Sequence, residues 1–571
     1  MKYIYILFVL PLFLAAALVA GSKSEGAFPV NESPDNITVC GSVPTGSVAL
    51  TKSGKFVVPL PGWGSYSYKI SKTTDSAQFY FDQGLNMYYG YHFKESLASF
   101  KEAARIDPAF LMAYWGQALA MGPYYNAAHS YVMPATVQPV LQRMRELSFT
   151  ASPKEKNLAE TMEKRYSTDA SDSRRKQLNA SYANGMRDLI SKYPEDSDIK
   201  ILYVDAVMLM HAWDFWNADG SAKEWTDELV FLSEKVLEKN PDHPAALHYH
   251  IHLTEASRHP EVALANADKL KNLLPGIAHM VHMASHEYQR NGKYLQGVEV
   301  NDLADDQLLV YDSLAKNLSL NKHSPHYFAV QTYCAMTGGM YKEGLRAAMR
   351  CRSSVNPTHE NTYDQYLYML PTLTLVRLGK WEEVLKDGVP DASWNYAGLL
   401  NNFARGLAFV NTGKTGLARE ELAKLRESIK DPVLAKRRIP FNSPLSMAQV
   451  AEEILNSAIL FSEKKFDASF ASLNKAIKIE DGLIYTEPND WPIPARQFLG
   501  AYLLKIKKPA LAEKVYREDL VLNPANGWSM LGLYQSLEVQ KKTRELPGYK
   551  AKYLASFSSA DEIPSGSVYL R

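Results

Sequence analysis

The sequence predicts an all-α protein built from short helix–turn–helix repeats. From about residue 75 to nearly the end of the chain, apolar residues recur at spacings of three and four, as on one face of a helix. Short breaks of Gly, Pro or Asn separate these stretches, which favours many short helices over a few long ones. One arrangement of small residues and closing prolines also returns at three well-separated places.

That arrangement is the tetratricopeptide (TPR) template, a unit of about 34 residues with small residues where its two helices cross. Its offsets are met by Gly84, Ser96, Phe100, Ala103 and Pro108, by Ser285, Tyr288, Gly297 and Ala304, and by Gly500, Ala512 and Pro524. Three separate matches predict a TPR-like α-solenoid of roughly eight to ten hairpins, wound as a right-handed superhelix around a concave groove. Stretches 123–200 and 305–322 fit less well and predict insertions or divergent repeats.

The N-terminus differs from the rest of the chain. A basic start, an apolar stretch and small residues near a possible cleavage point are typical of a signal peptide, here residues 1–21. An uncleaved anchor is the alternative, because the apolar stretch is nearly long enough to span a bilayer. We therefore expect an exported protein, periplasmic or extracellular, with no other membrane segment.

Composition and pattern divide the remaining chain. Residues 22–74 are rich in Gly, Pro, Ser and Thr and predict an extended lead-in with one or two short strands. The expected divisions are the lead-in at 22–74, N-terminal repeats at 75–240, histidine-bearing repeats at 241–340, C-terminal repeats at 341–558 and a tail at 559–571.

Net charge, cysteine content and missing motifs argue against several classes of protein. A net charge of +1, from 63 basic and 62 acidic residues, argues against nucleic-acid binding. Cys40, Cys334 and Cys351 are odd in number, and the last two lie at unequal distances from one helical turn, so we expect no bridge between those two. Phosphate loops, HExxH, GxSxG and paired CxxC motifs are missing from the sequence.

Histidines concentrate in two neighbouring repeats. His248 and His252 lie one helical turn apart, as do His282 and His286, and the two pairs are offset by 34 residues, one repeat period. They therefore occupy equivalent positions, which in TPR repeats face the concave groove. Since imidazole suits copper, zinc and iron, the spacing predicts a transition-metal site.

Three more residues extend this candidate site. Glu255 follows His252 on the same face and is a ligand, a partner that fixes an imidazole, or a catalytic general base. His279 lies one turn before the second pair, and His326 starts the next A helix. A metal-free acid–base or substrate-binding cluster and purely structural histidines stay open as alternatives.

Other histidines and loops are weaker candidates. His250 is expected in the core, and His243 and His259 at surface turns. Aromatic or charged loops that line the groove, or are merely connectors, contribute Asn126, Trp213, Asp214, Glu487, Trp491 and Arg496.

Two functions fit these features. The first is a metal-dependent enzyme, redox or hydrolytic, acting on a small molecule or peptide in the groove. The second is a non-catalytic scaffold that binds a peptide or protein partner there.

Several segments resemble a group of bacterial TPR proteins whose function is poorly defined. The resemblance lies in FDQGLNMYYGYHFKESLASFKEAARIDP, AYWGQALAMGP, HPAALHYHIHLTEAS, HMVHMASHEYQRNGKY, EPNDW and VYREDLVLNPANGW. It implies the TPR fold and does not specify an activity. It also implies histidine at the positions of His248, His252, His279, His282, His286 and His326. The group usually has Tyr where this chain has His250 and commonly Pro where it has Ala284.

Overall fold

Helices make up the regular structure of this protein. The computed structural model describes residues 46–127, 131–169, 172–438 and 441–570. Within these ranges 26 α-helices follow one another, no strand forms, and consecutive helices pack side by side along the chain. The prediction of an all-α, TPR-like solenoid is confirmed.

The helices of the first half of the chain lead to the histidine-bearing repeats. They are α1 (Asp75–Tyr89), α2 (Phe93–Ile106), α3 (Leu111–Ala120), α4 (Val137–Ser148), α5 (Pro153–Glu163), α6 (Arg175–Lys192), α7 (Ser197–Met210), α8 (Thr226–Lys239), α9 (Pro244–Thr254), α10 (Leu264–Leu273), α11 (Ala278–Arg290), α12 (Tyr294–Leu314) and α13 (Pro325–Thr337). Three short 3-10 turns lie between them, at Tyr125–Ala127, Pro260–Ala263 and Lys316–Leu318.

The second half continues the same pattern. Its helices are α14 (Tyr341–Ser353), α15 (Thr362–Tyr368), α16 (Leu370–Arg377), α17 (Trp381–Lys386), α18 (Asn395–Asn411), α19 (Thr415–Ser428), α20 (Val433–Lys436), α21 (Pro444–Ser462), α22 (Phe466–Glu480), α23 (Ala495–Lys505), α24 (Pro509–Leu522), α25 (Gly527–Val539) and α26 (Leu546–Ser556). None of the helices in the described ranges combines the length and apolar character needed to cross a bilayer.

Glycine sets the close approach of helices in the repeats. The Phe100 ring lies between Gly84 and Gly116, where an added Cβ would come within 2.9 Å and 2.3 Å of it. Tyr516 lies in the same way between Gly500 and Gly532, at 2.3 Å and 2.2 Å. An aromatic ring of one helix therefore fills the space that glycines leave on the helices before and after it.

The described part of the lead-in, 46–74, forms no strand, which corrects the prediction of one or two. Its backbone N–H groups bond to side chains instead: that of Leu60 donates to the Gln83 side chain at 2.9 Å, and that of Tyr68 to Asp82 at 3.2 Å. Because side chains of α1 satisfy these donors, the segment needs no partner strand. Residues 1–45, with the predicted signal peptide and Cys40, lie outside the described residues.

The lead-in also contacts the start of the second histidine helix. The Gly276 N–H donates to the Gly62 carbonyl at 2.8 Å, and a Cβ on Gly276 would lie 2.1 Å from the Pro61 carbonyl oxygen. Only glycine allows this approach, which fixes the chain two residues before α11.

Cys334 and Cys351 are buried free thiols, as expected. Burial raises the pKa of both thiols, so neither is a reactive thiolate.

Candidate metal centre

Three helices carry the histidines of the candidate site. Helix α9 holds His248 and His252, α11 holds His279, His282 and His286, and α13 holds His326. Pro244 and Pro325 occupy the first turns of α9 and α13, where a missing N–H costs no hydrogen bond.

His243 caps the start of α9. Its Nδ1 accepts a hydrogen bond from the Ala246 N–H at 3.4 Å, and its ring is fully buried against Tyr66. The expectation of a surface residue is therefore wrong for His243, whereas His259 is exposed. His250 is buried and bonds to Asn266, outside the cluster, as predicted.

The structure groups the six histidines into two sets of three. The first, called set 1, is His248, His252 and His279; the second, set 2, is His282, His286 and His326. Within each set the potential ligand atoms lie within 4.8 Å of one another, so each set could hold a metal ion. Helix α11 contributes to both sets, because it contacts both α9 and α13. His279 joins the two histidines of α9, and His282 and His286 join His326 of α13.

All six rings are buried, which corrects the expectation of an open groove. Their exposed fractions are 4% or less, with His326 the most exposed. The cluster therefore lies inside the solenoid wall rather than on a surface that a peptide could cover.

Hydrogen bonds at Nδ1 fix the tautomer of His248 and His282. His248 Nδ1 donates to the Tyr89 carbonyl at 2.6 Å, a group that the end of α1 leaves without a helical partner. His282 Nδ1 donates to Asn301 Oδ1 at 2.6 Å. The Asn301 amide is itself oriented, because its Nδ2 donates to the Gly297 carbonyl at 2.7 Å.

Glu255 fixes the tautomer of one histidine in each set. His252 Nδ1 donates to Glu255 Oε1 at 3.0 Å, and His286 Nδ1 donates to Oε2 at 2.6 Å. Burial raises the pKa of Glu255, but His286 and His252 outweigh it and lower that pKa to about 2. The ionised carboxylate thus joins the two sets.

These bonds leave the Nε2 atoms of His248, His252, His282 and His286 without a proton, and the bare Nε2 lone pairs of His282 and His286 face each other. His282 Nε2 lies 3.0 Å from His286 Nε2 and 3.1 Å from His326 Nε2. In set 1, His248 Nε2 lies 3.1 Å from His279 Nε2. Nitrogens bound to one tetrahedral ion at about 2.0–2.1 Å would be about 3.3 Å apart, so the sets need little opening to accept one.

The charge state of the histidines also suits ligation. Burial lowers the pKa of His252, and burial together with neighbouring imidazoles lowers those of His248, His279 and His282 well below the usual value. Burial lowers the pKa of His326 to about 3. These five rings are therefore neutral near pH 7, as metal ligands must be.

Tyrosine rings enclose the cluster. Tyr91 stacks on His279 at 5.1 Å between ring centroids, and Tyr327 stacks on His282 at 4.3 Å. Tyr91 occupies a turn position with φ +57°, where glycine follows α11 and α13 at Gly292 and Gly339. A bulky residue in this left-handed conformation costs on the order of 1–2 kcal/mol. Here the turn places the ring against set 1.

A cavity of about 60 Å³ reaches the cluster from outside. Its wall includes the buried Tyr91, His279 and Tyr327 and the exposed Asn321. The cavity also contacts His92, which bonds to Glu95 at 2.9 Å. A small molecule could therefore reach set 1 along this route.

Two of the loop candidates lie at the cluster. Glu487 Oε1 is 3.8 Å from His286 Nδ1, and Trp213 Nε1 donates to the same oxygen at 3.1 Å. Burial and the charge of Glu255 raise the pKa of Glu487 well above its usual value, which favours the protonated acid.

The remaining loop candidates are placed elsewhere or beside the cluster. Asp214 is exposed and pairs with Lys223. Trp491 packs on Phe403 in the C-terminal core, and Arg496 pairs with Asp481. Asn126 is buried next to Tyr125, whose ring lies 5.1 Å from that of His252.

Sequence reasoning missed Asn301, Tyr91 and the Tyr89 carbonyl. A backbone acceptor leaves no trace in a sequence, and one buried asparagine resembles any other. The only signal for Tyr91 is a bulky residue at a repeat turn that glycine usually occupies.

Comparisons with known proteins show no close relative. No protein-family model matches the chain, and no curated protein matches it. Among solved structures, an IFIT1 monomeric mutant with Gppp-AAAA is 13% identical, with 85% of this chain and 91% of that chain covered and a TM-score of 0.32. Yeast Tom70 is 12% identical, with 84% and 92% covered and a TM-score of 0.29. The P58(IPK) TPR domain is 12% identical, with 60% and 90% covered and a TM-score of 0.18. These likenesses carry no argument about function.

Proposed function

We propose that this chain is an exported metalloprotein whose histidine cluster binds a transition-metal ion and supports metal-dependent catalysis on a small molecule. One observation carries the proposal: hydrogen bonds at Nδ1 turn bare Nε2 atoms toward each other at 3.0 Å in His282 and His286. Two lone pairs at that distance repel unless a cation or proton lies between them. Copper, zinc and iron all accept imidazole donors.

The chain's own residues have separable roles in this proposal. The Nε2 atoms of the six histidines are the donors, and Glu255 holds His252 and His286 while supplying negative charge. Asn301 holds His282. An ion bound there supplies Lewis-acid or redox chemistry. The rings of Tyr91 and Tyr327 exclude bulk water from the donors.

The access route limits the substrate. A cavity of about 60 Å³ holds a few water-sized molecules. We therefore infer a substrate, or a reacting end of one, of only a few non-hydrogen atoms. Glu487, whose raised pKa favours the protonated acid, lies beside His286 and does not line this cavity, so it is a candidate acid at set 2.

The alternative of a non-catalytic scaffold gives the histidines no role. A peptide in a groove contacts exposed side chains, but the six imidazoles are 4% exposed or less. A protein or peptide partner elsewhere on the solenoid is compatible with the metal proposal.

Metal content tests the proposal. Protein purified without an affinity tag is expected to contain copper, zinc or iron, and the variant His282→Ala with His286→Ala is expected to contain less of that metal per chain. The matched control is His250→Ala, a buried histidine outside the cluster, which should retain the metal. Equal metal in all three proteins, or none in any after incubation with each ion, would overturn the proposal.

A further inference from the structure

The six histidines exceed what one ion can use. A four-coordinate ion takes four donors, and two buried imidazoles would then be left over with bare lone pairs, which is costly. The ligand atoms that lie within 4.8 Å of one another form two sets of three, not one set of six. Three imidazoles with an open fourth position match the ligand number of a reactive site rather than a closed structural one.

Accordingly, we propose that the cluster is a binuclear centre, with one transition-metal ion in set 1 and a second in set 2. This inference rests on the proposed function and adds the number and positions of the ions. Each set contains a close nitrogen pair, His248 with His279 at 3.1 Å and His282 with His286 at 3.0 Å. Both distances are a few tenths of an ångström below the separation that a shared ion imposes.

The two sets are built as neighbours. His279 and His282 lie one turn apart on α11 and belong to different sets, His279 to set 1 and His282 to set 2. Their ring centroids are 5.9 Å apart. The rings of His252 and His286 are 5.7 Å apart across the same boundary. Two ions bound in the sets would therefore be close enough to interact with one small ligand.

Glu255 is the element that links the sets. Each of its oxygens accepts one Nδ1–H, from His252 of set 1 and from His286 of set 2. A third combination of potential ligands, His252, Glu255, His286 and Glu487, spans the boundary. Because Nδ1 of both histidines is used by Glu255, their free donor atoms are the Nε2 atoms, which belong to the separate sets.

The arrangement also defines the chemistry of the ions. All six donors are imidazoles, and the Glu255 carboxylate lies at the boundary between the sets. At nitrogen sites copper(II) binds most tightly among the divalent first-row ions. Copper is therefore the suitable probe, and the cavity beside His279 offers a route for a ligand shared by two ions.

Copper stoichiometry tests this inference on the full chain. Metal-stripped protein is dialysed against buffered copper(II), and copper per folded chain is measured by elemental analysis. Wild type is expected to bind two ions. The set 1 variant, His248→Ala with His279→Ala, and the set 2 variant, His282→Ala with His326→Ala, should each bind one.

Electron paramagnetic resonance gives a second readout, because only wild type is expected to hold two ions close enough for their spins to couple. Two adjacent copper(II) ions couple, so the spin intensity of wild type should fall below its copper content, while each variant should show full intensity. One ion with full intensity in wild type would overturn the binuclear centre and leave the proposed function standing. No bound ion would overturn both. Loss of both ions in either folded variant would overturn the assignment of one ion to each set.

Discussion

At the scale of single residues, an imidazole can bind a metal only through the nitrogen that carries no proton. His282 illustrates how the fold makes this choice, because Asn301 accepts from its Nδ1 and leaves Nε2 bare. Asn301 is in turn held by the Gly297 carbonyl on its own helix. The position of the His282 Nε2 atom thus depends on Asn301, which bonds to the other ring nitrogen and is not itself a proposed ligand.

Replacing Asn301 tests this dependence. Asn301→Ala should weaken metal binding by about 10–100-fold, because His282 loses the acceptor that orients it. The measurement is a competition titration against a chelator of known affinity. Asn179→Ala is the control, since Asn179 is also buried but bonds to Arg175 in α6. Equal losses in both variants would mean that Asn301 acts only through general stability.

Protonation of the buried histidines makes the stability of the metal-free protein depend on pH. Burial lowers the pKa of His326 to about 3 and that of His279 well below its usual value. As the pH falls, these histidines are therefore protonated in the unfolded chain before they are protonated in the folded chain. Stability should be fully present above about pH 6.5 and be lost as pH falls from there toward 3. The thermal midpoint of stripped protein, measured from pH 7.5 to 4.5, checks this. His326→Gln should flatten the dependence, and an unchanged midpoint down to pH 5 would contradict it.

At the scale of helices, α11 is the element on which both sets depend. It supplies three of the six histidines, and its start is fixed by contact between Gly276 and the lead-in at Gly62. The predicted strands are replaced here by backbone bonds to helix side chains and to Gly276. A segment 214 residues earlier in the chain therefore positions the histidine helix.

Substitution of Gly276 tests the importance of this contact. Gly276→Ala would place a Cβ 2.1 Å from the Pro61 carbonyl oxygen, so we expect a loss of about 1–3 kcal/mol and a lower thermal midpoint. Gly416→Ala in α19 is the control, because an added Cβ meets nothing within 4 Å there, and it should be neutral or stabilising. A similar effect at both positions would show that the lead-in contact is unimportant.

At the scale of the whole molecule, the repeat period explains what the sequence could predict. Gly84 and Gly500 recur because helices must approach closely at those points, and this requirement is local and visible in the sequence. The spacing of 34 residues between His248 and His282 likewise places both on neighbouring helices. Fold class therefore follows from the sequence, as does the nearness of these histidines.

The parts of the candidate site that the sequence did not predict depend on contacts between segments that are distant along the chain. Glu487 reaches His286 from a loop 201 residues later, and the Tyr89 carbonyl reaches His248 from 159 residues earlier. Periodicity does not specify such pairings, nor which histidines share a set. Burial was also missed, because a concave position on one repeat is covered once loops and neighbouring helices pack over it.

The most direct test of the central claim is an anomalous-scattering map of crystals of untagged protein, with data collected at the copper, zinc and iron absorption edges. The account predicts a peak at one of these edges about 2.0–2.1 Å from Nε2 of His282 and His286. A map with no anomalous peak among the six imidazoles, in crystals incubated with each ion, would contradict it.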